Sequence, residues 1–123
     1  MNTDLAGWAA DWLVGGMIGG LGMALLEETP VDARVGRIVN AGLADYLVPV
    51  HAEIGSIEAT WIDEMDVLAS PIGAKGLGEL PVAGVAAAFA NAVSNTTGVR
   101  VRDLPITLDK ILRQQLPAAV RVD

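Results

Sequence analysis

The sequence predicts a mixed α/β fold, α+β in character: a small mixed sheet packed with two buried helices and followed by a short C-terminal helix. Three observations carry that expectation. Residues 8–28 are apolar nearly all round, the pattern of a helix enclosed by other protein. Residues 56–62, SIEATWI, alternate: Ile57, Ala59 and Trp61 lie on one side, Glu58 and Thr60 on the other, as in a half-buried strand. Residues 82–95 place Val82, Val85, Phe89 and Val93 on one helical stripe and run on to Gly98, a helix stop.

The 123 residues allow one domain with a modest core. The apolar share is 52% with a mean hydropathy of +0.45, yet only 4% is aromatic. So apolar a chain of this size is expected to pack against further protein. The net charge of −7 excludes a phosphate-backbone binder, which needs a basic face, so no nucleic-acid partner is expected. The absence of cysteine excludes disulfides and thiolate-held iron–sulfur clusters from this chain.

Taken in order, the first helix has a GxxxG pair, Gly16 and Gly20, which could serve a transmembrane dimer. The uncharged run from Trp12 to Leu26 falls short of the roughly 20 residues of a span, so a packed helix is expected and no membrane. No basic segment precedes the run, which reads as cytoplasmic. Pro30 ends the helix. VDARVGRIVN reads as an extended or turn segment around Gly36, and ADYLVPV as a short strand stopped by Pro49. DEMDVLASPIGAKGLGELP is a long apolar loop, the kind that is usually functional. VRVRDLPI is a strand or extended link. Thr107 caps a third helix, with Leu108, Ile111 and Leu112 inward and Lys110, Arg113 and Gln114 outward. Residues 117–123 read as a loose tail.

Within the long loop, GAKGLGELP concentrates backbone freedom around one acid. Gly73, Gly76 and Gly78 admit positive φ and let a ligand approach the backbone. The helix expected from residue 82 would turn its positive end toward Glu79. An ionised carboxylate there suits a general base. A glycine turn with a solvated or capping glutamate explains the same pattern.

The stretch PIGAKGLGELPVAGVAAAFANAV followed by TGVRVRDLPITLDKIL closely resembles the C-terminal end of the molybdenum-binding large subunit of the xanthine dehydrogenase and aldehyde oxidase family. GGLGMALLEET, GRIVNAGLADYLVPVHAEI and IEATWIDE follow that subunit's order. The resemblance implies a single partial domain, 1–123, the C-terminal part of a molybdopterin-binding domain. It implies that Glu79 is the general base that takes a proton from Mo–OH as an aldehyde or N-heterocycle is hydroxylated. It sets Lys75, Gly76, Leu77 and Gly78 on the side of a molybdopterin-type molybdenum cofactor, and more weakly Gly20 and Gly22, with Gly15 and Gly16. No metal ligand is expected from the protein. The implied partners are the remainder of the large subunit and iron–sulfur and flavin subunits or domains. The isolated chain is expected to bind no cofactor and to turn over no substrate. As part of the full subunit it is expected to serve a molybdopterin-dependent oxidoreductase.

The rival readings are a truncated, non-catalytic module that forms a homo-oligomer through exposed apolar surface, and a small membrane protein built on the first helix. His51, the one histidine, has no partners for a metal site. Asp63, Glu64 and Asp66 read as a solvated turn, Asp45 and Tyr46 as structural, and Arg100 and Arg102 as partners for acids elsewhere.

Overall fold

The computed structural model describes residues 3–62, 64, 66–73 and 75–115. The tail expected at 117–123 lies outside the described residues. Helix α1 (Thr3–Leu25), a hairpin of β1 (Val31–Asp32) and β2 (Arg37–Ile38), a 3₁₀ turn at His51–Glu53, helix α2 (Val85–Thr97) and helix α3 (Leu108–Gln115) follow in order. The architecture is thus mostly helical with one two-stranded antiparallel sheet, in the register Val31↔Ile38 and Asp32↔Arg37. The broad mixed class stands, but the sheet is smaller than expected and neither long helix is enclosed.

α1 runs longer at its start and stops sooner than its apolar pattern suggests. It ends where the amides of Leu26 and Glu27 both donate to the Gly22 carbonyl at 2.9 Å, ahead of Pro30. The chain then folds back: Asn40 donates to the Glu28 carbonyl at 2.7 Å, and the Tyr46 hydroxyl donates to Glu27 at 2.8 Å. That hydrogen bond to a carboxylate is the first cause that pushes the Tyr46 phenol above its ordinary value. The folded chain holds this proton more tightly than the unfolded one. Its contribution is therefore complete below the ordinary tyrosine pKa and is lost as pH rises through the raised one. Tyr46 is the one tyrosine in the chain. Phenolate absorbance should therefore rise at a pH above that of a free tyrosine, and Glu27→Gln should move the midpoint back down.

The hairpin turns at Gly36, whose φ of 64° suits glycine, and its amide donates to the Asp32 carbonyl at 2.8 Å. Arg34 donates to the Asp32 carboxylate through Nη2 at 2.7 Å, Nε at 3.0 Å and its backbone amide at 2.9 Å. These bonds lower the Asp32 pKa, the guanidinium first among the causes. ADYLVPV is turn and irregular chain instead of a strand; the Asp45 and Tyr46 amides donate to the Gly42 carbonyl.

α1 packs along α2 through its small residues. A side chain at Gly20 would meet Val85 at 2.7 Å, and one at Gly16 would meet Pro81 at 2.6 Å. A side chain at Gly22 would run into Glu27 and Pro49. Residues Gly7–Leu25 are long and apolar enough to cross a membrane by length and composition, since the helix extends past Asp11. The expectation from the short uncharged run therefore fails on length. The contacts of Gly16, Gly20 and Gly22 are what tie the helix into the fold.

α2 carries the expected stripe, with Val85, Phe89 and Val93 half-buried, and closes on Gly98 at φ 73°, whose amide donates to the Ser94 carbonyl. It starts at Val85, later than expected. From Leu77 to Val85 the amides reach back only three residues, as in Val82 to Glu79 at 3.1 Å and Val85 to Val82 at 3.3 Å, so these are turns. Val99, Val101 and Ile106 form the small core, against Leu25, Phe89, Ala90, Val93 and Ile111. The Ile106 amide donates to the carbonyl of Ala24, which is fully buried.

In α3 only Ile111 of the three expected apolar residues faces the core; Leu108 and Leu112 are exposed. Lys110 is half-buried instead of outward, its ammonium donating to the carbonyls of Pro105 at 2.8 Å and Asp103 at 3.2 Å. The Thr107 hydroxyl donates to Asp109 at 2.5 Å at the helix start.

Candidate active site

The long loop is irregular as expected, and two of its glycines have positive φ: Gly73 at 68° and Gly78 at 21°. Lys75 ion-pairs with Asp66 at 3.3 Å and Glu64 at 3.4 Å. The acidic turn therefore has a cationic partner, and the lysine ties the two limbs of the loop together. Asp63 and Ala74 lie outside the described residues.

Glu79 follows Gly78 and stands on the wall of an open groove of about 500 Å³. Trp8, Asp11, Trp12, Gly15, Gly16 and Val82 supply the rest of its lining. The side chain is exposed to solvent on this wall. Because α2 begins only at Val85, Glu79 sits outside its first turn and beyond the reach of the helix end's field. The helix-dipole expectation is corrected accordingly.

The groove joins two parts of the chain. Trp12 Nε1 donates to the Gly78 carbonyl at 2.9 Å, and the Trp8 and Trp12 rings stack with centroids 5.9 Å apart. Gly15 and Gly16, which the resemblance set more weakly on the cofactor side, line the groove, while Trp8, Asp11 and Trp12 were missed as site residues. Their spacing is the signal: three and four residues apart, they share one face of a helix. Gly15 opens onto the groove, with nothing within 4 Å of where a side chain would start. Leu77 lines an adjoining hollow with Trp8 and Trp12. Gly76 is exposed in the loop, while Gly20 and Gly22 face Val85 and Pro49 away from this groove. His51 ends on the exposed 3₁₀ turn.

Among the described residues no group of three or more His, Cys, Asp or Glu side chains could hold a metal ion. The groove fits a guest that brings its own metal ligands: its floor at Gly15, Gly16 and Gly78 lacks side chains, and its polar side chains on the wall are the carboxylates of Asp11 and Glu79 with the Trp12 indole. Such a site offers space and two carboxylates rather than a set of metal ligands.

The chain is similar to known proteins in sequence and in fold. Residues 11–55 match the family described as molybdopterin cofactor-binding domain. The chain is 53% identical over 112 residues to the aldehyde oxidoreductase molybdenum-binding subunit PaoC of Escherichia coli (strain K12), covering 91% of this chain and 15% of that protein. It is 39% identical over 100 residues to the putative xanthine dehydrogenase molybdenum-binding subunit XdhA of the same organism, covering 81% of this chain and 13% of that protein. The fold matches quinoline 2-oxidoreductase from Pseudomonas putida 86 with a TM-score of 0.72 at 32% identity, over 84% of this chain and 14% of that one. The chain belongs to the xanthine dehydrogenase and aldehyde oxidase family of molybdenum-binding subunits, and it spans 15% and 13% of the length of these two curated relatives. A molybdopterin-type molybdenum cofactor is the cofactor of the full enzymes of this family.

Proposed function

We propose that this chain supplies the proton-accepting wall of a molybdopterin-dependent hydroxylase acting on an aldehyde or an aromatic N-heterocycle. One observation carries the reading: Glu79 follows a positive-φ glycine and lines a groove whose floor is made of glycines from both the loop and α1. When bound, the cofactor supplies the two-electron redox chemistry. Gly78 and Gly15 leave room for it, Leu77 and Gly76 flank it, and Lys75 braces the loop through Asp66 and Glu64. Glu79 takes up the proton on a carboxylate oxygen, the role for which an open, solvent-reachable acceptor is suited.

The remainder of the subunit, and partners carrying iron–sulfur and flavin centres, complete the enzyme in this reading. The test is complementation. The Escherichia coli relative, stripped of its matching segment, is co-expressed with this chain and assayed for aldehyde oxidation. Turnover that appears only when the chain is present supports the proposal; a cofactor-loaded complex without turnover ends it.

A second reading has its own support. Leu68 at 95% exposure, Ile62 at 92% and Leu43 at 91% leave large apolar side chains open. A chain with so many of them would self-associate when alone.

A further inference from the structure

Residues 54–62 leave the 3₁₀ turn without forming a regular element, and Ile54 is extended at φ −92° and ψ 117°. Ile57 and Ala59 are half-buried while Ser56, Glu58 and Thr60 are exposed, the period of a strand. The inner residues face both helices. Ile57 shares a hollow with Leu21, Leu25 and Phe89, and Ala59 shares one with Met17 and Val85. Among the described residues, no backbone N–H or carbonyl from Gly55 to Ile62 forms a hydrogen bond. Isoleucine, threonine and tryptophan here favour a pleated, half-covered surface. The segment therefore has a strand's side-chain pattern without a ladder, and an edge of this kind is a template for another strand.

We infer that residues 55–62 form an open strand that pairs with a β-strand supplied by the remainder of the molybdenum-binding subunit. The choice of occupant rests on the family reading. A relative 53% identical carries this stretch within a 112-residue match that is only 15% of its length, so far more polypeptide accompanies it there. A second copy suits the edge less well. Each chain carries a net charge of −7, and pairing two such edges brings Glu58 of each chain and both net charges together. Trp61 and Ile62, 41% and 92% exposed, continue the apolar surface beyond the covered part and give an arriving strand side chains to pack on.

Residue-resolved amide hydrogen exchange tests this. The 123-residue chain is measured alone and in complex with the Escherichia coli relative lacking its matching segment. Alone, amides 55–62 should exchange freely. In the complex one alternating set, either 57, 59 and 61 or 56, 58 and 60, should slow by about a hundredfold or more, since successive N–H groups point to opposite edges. Failure of the two to associate overturns the inference. So does an unchanged rate, or slowing without the two-residue period. Slowing in the chain alone that grows with its concentration assigns the edge to a second copy and overturns it too. The readout needs no turnover. Protected amides in an inactive complex count against Glu79 as the base, and turnover with unprotected amides counts against the strand.

Discussion

Replacing Glu79 with glutamine is expected to lower kcat of the complemented enzyme by about 10²–10⁴, the usual contribution of a positioned general base. That corresponds to about 3–5 kcal/mol of barrier. Glutamine keeps the size and the hydrogen-bonding reach of the side chain and removes only its ability to take up a proton. KM should change little, because Glu79 stands on the wall of the groove and the space of its floor comes from Gly15, Gly16 and Gly78. Glu79→Asp should retain part of the activity, since it keeps the charge and withdraws it by one methylene. The Trp12 indole bond to the Gly78 carbonyl lies on the backbone, so tryptophan fluorescence should be the same in all three proteins and report an intact loop. Equal kcat for Glu79 and Glu79→Gln would remove the catalytic role.

The second large effect concerns neighbouring glycines of α1 with opposite expected signs. Alanine for glycine inside a helix gains up to about 1 kcal/mol from backbone entropy. At Gly19 nothing lies within 4 Å of the added carbon, so Gly19→Ala should raise stability by about that amount. At Gly20 the same carbon would sit 2.7 Å from Val85 Cβ and 2.8 Å from its Cγ2. Valine is branched at Cβ and cannot swing away, so α1 and α2 must separate. Overpacking of this kind costs about 1–3 kcal/mol, enough to outweigh the helix gain. Urea denaturation of the two variants should bracket the parent chain on either side. A stabilised Gly20→Ala would show that the helices do not approach this closely.

Much of this was legible beforehand, for reasons that differ by element. The stripe Val85, Phe89 and Val93 and the stop at Gly98 are local rules, and both hold. The irregular glycine loop was legible because positive φ, seen at Gly73 and Gly78, is a conformation that glycine adopts readily and other residues rarely do. The start of α2 was not, because residues 78–84 contain turns that read like a helical continuation until their three-residue hydrogen bonds are seen. The half-buried Lys110 depends on carbonyls at Asp103 and Pro105, which no periodicity reports. At SIEATWI the alternation was read correctly, yet a strand also needs a neighbour, and pattern alone does not supply one. The tryptophans at the groove were overlooked because an all-round apolar helix suggests enclosure, and the face of Trp8, Trp12 and Gly15 was not weighed as a surface.

α1 does two jobs at opposite ends. Trp8 and Trp12 shape the groove, while Ala24 near the other end receives the Ile106 amide at the core. From Trp8 to Ala24 an unbroken helix extends roughly 24 Å at 1.5 Å per residue. A rod that long passes on a shift at its foot as a displacement at its tip. Damage to the small hydrophobic centre around Val99, Val101 and Ile106 would thus reach Trp12 and, through its bond to the Gly78 carbonyl, the loop that carries Glu79.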